Sequence, residues 1–247
     1  MREPSIDLVR MKLRYKLHPS RDGSSCPAGS AAPALLLLLH GTGDNEGGLL
    51  PLGGLAPEGT VVASLRAPLA APFGGFRWFP GMSSAPEPDS LTSVIGESTD
   101  SIFDFIDSAP SSLGTDPNRV YLMGFSQGAT LTWAALMSTW PRPGFIAGAL
   151  VVSGRLMPEF LQPDTPLGAR CAPPTQLDGT SLLVTHGACD NVTPVVFARE
   201  SARLYESWRG APLDLRELER DEHGVSQQCQ HLARKFLHEQ LEEKKEG

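Results

Sequence analysis

Residues 119–137 read RVYLMGFSQGATLTWAALM, and the fold is decided by how that stretch divides. RVYLMGF (119–125) is a short apolar run without alternation, the pattern of a strand covered on both faces. From Gln127 onward the residues suit a helix, so Ser126 alone separates strand from helix. A turn that sharp strains its central residue and brings helix and strand so close that Gly124 and Gly128 are needed for clearance. It also exposes the Ser126 hydroxyl at the strand end. The N–H of Gln127 and the positive end of the helix then face whatever that hydroxyl attacks.

The neighbouring segments extend the same pattern. ALLLLLH (34–40), TVVASL (60–65), FIAGALVVSG (145–154) and SLLVTHG (181–187) are short apolar runs that do not alternate, and LDLREL (213–218) reads as one more strand. MKLRYKL (11–17) does alternate. It predicts a half-buried strand with Met11, Leu13, Tyr15 and Leu17 inward and Lys12, Arg14 and Lys16 solvated. Helical periodicity appears in Val94, Ile95, Ile102, Phe105 and Ile106, in Val195, Ala198, Ala202 and Tyr205, and in Val225, Cys229, Leu232 and Phe236. Thr193-Pro194 reads as a helix cap and first turn. Strands alternating with helices imply an α/β fold in one domain over residues 1–247, with a mostly parallel central sheet flanked by helices on both faces. Ligands bind such sheets at the carboxyl ends of the strands. Residues 18–33 form a polar connection expected to be flexible. Residues 66–89 and 155–179 follow strands without fitting either period, so both are expected to cover the cleft.

Composition narrows the classes of function. The 247 residues hold 21 Lys+Arg against 28 Asp+Glu, a net charge of −7, which argues against nucleic-acid binding. No apolar run approaches the roughly 20 residues of a membrane span, and the first residues lack an export signal. Cys26, Cys171, Cys189 and Cys229 lie far apart without zinc-ligand spacing, which predicts no metal; free thiols are the default for the cytosolic protein expected here, without stable membrane insertion, and the even count leaves a disulfide open.

A serine is a poor nucleophile unless a base and an orienting acid accompany it. His186 ends a strand in THGACD, where a buried imidazole with a backbone partner is expected. His223, in the polar loop ERDEHGVS, is the better base, whereas His231 and His238 fall inside the last helix. Asp190 follows a strand and shares its edge with Ser126. Asp178 precedes that strand and belongs to the opposite edge; Asp221, two residues from His223, reads as solvated. The chain order Ser126, Asp190, His223 suits a strand-turn-helix nucleophile. The glycines of HGTGDNEGG (40–48) turn backbone N–H groups toward a ligand, so the amides of Thr42 and Gln127 are the expected oxyanion donors, with His40 bracing the loop.

These motifs together resemble the phospholipase/carboxylesterase group of the α/β-hydrolase superfamily, which includes small carboxylesterases and acyl-protein thioesterases. LLLLLHGTGDN, SLRAP with FRWF, DPNRVYLMGFSQGA, VVSG, HGACDNVTP and EHGVS carry the likeness over residues 35–226. Thr42 departs from the leucine usual in the thioesterases. The resemblance implies a hydrolase without a cofactor, with Ser126 as nucleophile, Asp190 as acid, His223 as base, and Thr42 and Gln127 at the oxyanion hole.

The expected partner is a small acyl ester or thioester. Phe73, Phe76, Trp78, Phe79 and Met82 are expected to wall an acyl pocket or form a lid, with Leu156, Met157, Phe160 and Leu161 opposite. Cleavage of short to medium carboxylic esters is the reading carried forward. Thioesterase or lysophospholipase action is the alternative within enzymes, and a binding protein without turnover is the alternative outside them.

Overall fold

The computed structural model describes residues 12–23, 31–81, 88–140 and 146–242. Its strands are β1 (Tyr15–Leu17), β2 (Ala34–Leu39), β3 (Thr60–Leu65), β4 (Leu69–Ala70), β5 (Phe76–Arg77), β6 (Val120–Phe125), β7 (Ile146–Val152), β8 (Ser181–Gly187) and β9 (Leu215–Leu218). Its helices are α1 (Pro88–Leu113), α2 (Gln127–Met137), α3 (Val196–Arg209) and α4 (Gln227–Glu242). Among the described residues, seven strands form one sheet in the order β1-β3-β2-β6-β7-β8-β9. β1 is antiparallel to β3 and every other pairing in that sheet is parallel.

The chain steps from β2 outward to β3 and returns on the other side of β2 to form β6. That reversal opens a crevice at the carboxyl ends of β2 and β6, between the loop after Leu39 and the turn at Ser126. The unbroken apolar runs are explained by the two layers that cover the sheet. Leu35, Leu37 and Leu39 enter the core on the face of α1, α2 and α3, while Leu36 and Leu38 enter the core under α4. A polar residue at any of these positions would be buried.

Helix α2 lies across the sheet with every residue from Gly128 to Met137 buried, which is why its sequence lacks a polar face. Its approach depends on glycine. A Cβ at Gly128 would collide with the Leu39 carbonyl, and one at Gly124 with the Gly128 carbonyl.

Several expectations need correction. The first strand spans Tyr15–Leu17 only; its register with β3 begins at Tyr15 opposite Leu65, where β3 ends. Leu13 is buried as expected, but Tyr15 is 39% exposed and meets the edge of Phe105. Met11 lies outside the described residues. So do residues 24–30 of the connection 18–33; its described start is tied to β3 through His18 N–H to Val62 O and Val62 N–H to Arg21 O.

Residues 69–77 form a hairpin rather than a structureless loop, and 155–179 holds three short 3₁₀ turns, at 158–161, 168–170 and 174–177. Helix α3 starts at Val196, not at Thr193-Pro194, because the Thr193 backbone is already bonded to Asp190 and His186. Cys171, Cys189 and Cys229 are free thiols, Cys26 lies outside the described residues, and no helix among the described residues is long and apolar enough to cross a membrane.

Gly128→Ala is expected to destabilise the protein by about 1–3 kcal/mol or more, because neither backbone can withdraw from the added methyl. A urea-unfolding midpoint equal to that of the parent would show that α2 does not pack this tightly.

Candidate active site

Ser126 has φ 55° and ψ −117°, a conformation costly for any residue with a side chain, on the order of 1–3 kcal/mol. The strain is held from both sides: Ser126 N–H donates to Val152 O at 3.0 Å, and Ser126 O accepts Thr130 N–H at 3.0 Å. Its hydroxyl is thus fixed at the carboxyl rim by backbone alone.

Asp190 and His223 come from loops after β8 and β9. These loops are joined by Ala188 N–H to Leu218 O at 2.9 Å and Cys189 N–H to Asp221 O at 3.0 Å. Asp190 is buried, and its Oδ1 accepts the N–H groups of Val192 (2.9 Å) and Thr193 (2.7 Å). Its Oδ2 accepts His223 Nδ1–H at 2.7 Å. That bond sets the tautomer and leaves Nε2 free to accept the Ser126 hydroxyl at 3.0 Å. Burial alone would raise the pKa of Asp190, but the bonds from His223, Thr193 and Val192 outweigh it and hold the carboxyl below its ordinary value. The His223 ring also packs against Phe125, centroid to centroid 4.9 Å.

Two further histidines are kept neutral by burial, which lowers both pKa values. His40 accepts Ala67 N–H on Nε2 at 3.1 Å and donates from Nδ1 to Gly41 O at 2.7 Å. Its own carbonyl accepts Trp78 Nε1–H at 2.8 Å, so it braces the loop as expected. His186 donates from Nε2 to Thr193 O at 2.6 Å, shaping the turn that cradles Asp190.

Thr42 is exposed, in a loop held by Gly43 N–H to Phe76 O and Phe76 N–H to Asp44 O, both 2.8 Å. Beneath that loop buried Glu46 grips Arg66 with two bonds of 2.5 Å, which draws its pKa from 4.5 to about 2. Gln127 has its backbone N–H at the first position of α2, where no helical acceptor exists. Its side chain ties the crevice walls together: Oε1 accepts Trp78 N–H at 2.9 Å and Nε2 donates to Phe79 O at 2.8 Å.

The residues expected to wall an acyl pocket divide by burial. Trp78 and Phe79 are core residues, 0% and 3% exposed, and Trp78 serves as a strut through its indole N–H. Leu156, Met157 and Phe160 are buried and Leu161 partly so, all within the core beside α2. Phe76 is half-buried under the Arg66 guanidinium, whereas Phe73 is fully exposed at the hairpin tip. Met82 lies outside the described residues. Asp178 pairs with Arg209 away from the site, and Asp221 accepts the Ser226 hydroxyl. Phe125 and the Gln127 side chain carried no periodic signal; the sole hint was their adjacency to Ser126. No group of three metal-ligating side chains occurs among the described residues.

A family model described as Phospholipase/Carboxylesterase matches residues 25–241. An uncharacterized hydrolase of Mycosarcoma maydis is 32% identical over 135 residues, 50% of this chain and 47% of that protein. The match therefore spans about half the length of that curated relative. Among solved structures, esterase PE8 has a TM-score of 0.74 at 24% identity, covering 94% of this chain and 100% of that one. A carboxylesterase from Mesorhizobium loti has a TM-score of 0.69 at 23% identity, covering 93% and 96% of the two chains. Acyl-protein thioesterase 2 of Zea mays has 0.70 at 20% identity, covering 92% and 99%. At such identities the structural likeness is one of fold.

Asp190→Asn tests the directional bonding. The two backbone N–H groups will hold the amide oxygen at the Oδ1 position, which turns the NH₂ toward His223 and forces the opposite tautomer. Labelling of Ser126 by a fluorophosphonate should slow by about 10³–10⁴-fold. Labelling at the parental rate would mean that the carboxylate does not set the imidazole.

Proposed function

The chain belongs to the phospholipase/carboxylesterase family, and from that premise we propose that it is a serine hydrolase cleaving carboxylic esters of short to medium acyl chains. The observation that carries the reading is the unbroken line from Asp190 through His223 to Ser126, with bonds of 2.7 and 3.0 Å. A binding protein has no need for a strained serine aligned with an imidazole and a buried carboxylate.

In this mechanism Ser126 Oγ attacks the acyl carbonyl while His223 Nε2 takes its proton. The developing oxyanion is held by the N–H groups of Gln127 and Thr42, with the positive end of α2 behind the former. Asp190, already ionised in its buried cradle, stabilises the imidazolium without taking a proton from it. The imidazolium then protonates the departing alkoxide, and the acyl group stays on Ser126. Water enters, His223 removes its proton, and collapse of the second tetrahedral intermediate releases the acid and regenerates the hydroxyl.

Ser126→Ala should cut kcat/KM on p-nitrophenyl butyrate by at least about 10³-fold, and His223→Ala by a comparable factor. If the alanine variant at 126 hydrolysed the ester as fast as the parent, the nucleophile would have to lie elsewhere. Failure of the parent to react with a fluorophosphonate would point instead to binding without turnover.

A further inference from the structure

The chain reverses abruptly after β7. Ser153 has φ 54°, and Gly154 passes so near Ala129 that a Cβ there would collide with it. Arg155 is delivered to the catalytic rim three residues beyond Val152, whose carbonyl accepts the Ser126 N–H. Three residues span at most about 10 Å, so the site lies within reach of a long side chain. The segment is pinned to α3, since Leu156 N–H donates to Ser201 Oγ at 2.8 Å and that hydroxyl donates to Phe197 O at 2.6 Å. The Arg155 guanidinium lies over the Phe197 ring, 5.1 Å from its centroid.

A half-buried guanidinium ordinarily ends on a carboxylate or carbonyl. Arg155 does not: among the described residues it has no hydrogen bond or ion pair, and its Nε is shut away from solvent without an acceptor. Burial works against its charge, while Glu159 and Glu200 lie near enough to favour it. Neither carboxylate joins it, and Glu159 Oε2 is itself buried without a donor. The donors of Arg155 are thus held in place, partly desolvated and unused.

The faces of the sheet fix which part of a substrate they meet. His223 reaches Ser126 over Phe125, which packs with the layer under α4. Ala129, Leu156 and Met157 belong to the layer on the opposite face. The imidazole that protonates the leaving group and the segment carrying Arg155 therefore flank Ser126 from opposite faces, which puts Arg155 on the acyl side.

We infer that the preferred substrate carries a carboxylate on its acyl group, bound by the guanidinium of Arg155 on the Phe197 ring. This rests on the serine-hydrolase reading above and narrows its substrate class to esters of acidic acyl groups. The uncommitted N–H groups match a carboxylate in geometry as well as charge.

The test compares kcat/KM for mono-p-nitrophenyl glutarate and p-nitrophenyl pentanoate, whose acyl chains match in length. The parent should prefer the glutarate ester by at least about 10-fold. Arg155→Gln should lower the ratio between the two esters by about 10–100-fold, and Arg155→Lys should retain part of the preference. Free glutarate should also inhibit the parent more tightly than pentanoate does, a comparison that needs no variant to fold. Equal ratios in the parent and in Arg155→Gln, or a parent that favours pentanoate in both assays, would overturn the inference and leave the hydrolase reading standing. A parent that cleaves neither ester and resists fluorophosphonate labelling would remove both.

Discussion

The close approach of α2 to the carboxyl ends of β2 and β6 is the constraint from which the rest of the site follows. Because Gly128 sits against the Leu39 carbonyl, no residue other than Ser126 is available to make the turn, and its backbone must take a positive φ. Strain of this kind persists only where the surroundings over-determine it. Here they do so through two backbone bonds and a helix with ten consecutive buried residues. The exposed hydroxyl, the free N–H of Gln127 and the dipole of α2 are consequences of that single packing decision.

Around this rigid point the electrostatics are graded by burial. His40 and His186 are both enclosed and neutral, so each serves as a donor of fixed direction, one shaping the Thr42 loop and the other the turn around Asp190. Asp190 is equally enclosed but stays charged, because three donors replace the water it has lost. Glu46 repeats that logic under the Thr42 loop with an arginine as its partner. Both buried histidines are thereby committed to structure, whereas His223, partly exposed on its loop, is the imidazole that meets the Ser126 hydroxyl.

Much of this was legible in the sequence because it was written in short-range signals. Unbroken leucines at 35–39 meant a strand between two layers, and glycines two residues either side of a serine meant a tight strand-to-helix turn. Loop position relative to strand direction separated Asp190 from Asp178. The aromatic segment misled because composition does not say which way a ring points: Trp78 and Phe79 turn inward to hydrogen-bond and fill space, while Phe73 turns out. The start of α3 was misplaced for a related reason. Thr193 has the side chain of a cap, yet its backbone is taken by Asp190 and His186, partners that only the folded chain brings near. Arg155 left no trace in any periodicity, since its unpaired state is a property of its surroundings.

The most direct measurement of the central claim is a crystal structure of the chain after reaction with a fluorophosphonate. The account predicts phosphorus bonded to Ser126 Oγ, His223 beside it, and the phosphonyl oxygen about 2.7–3.1 Å from the N–H groups of both Thr42 and Gln127. An adduct on another residue, or one at Ser126 whose oxygen points to solvent away from those amides, would contradict it.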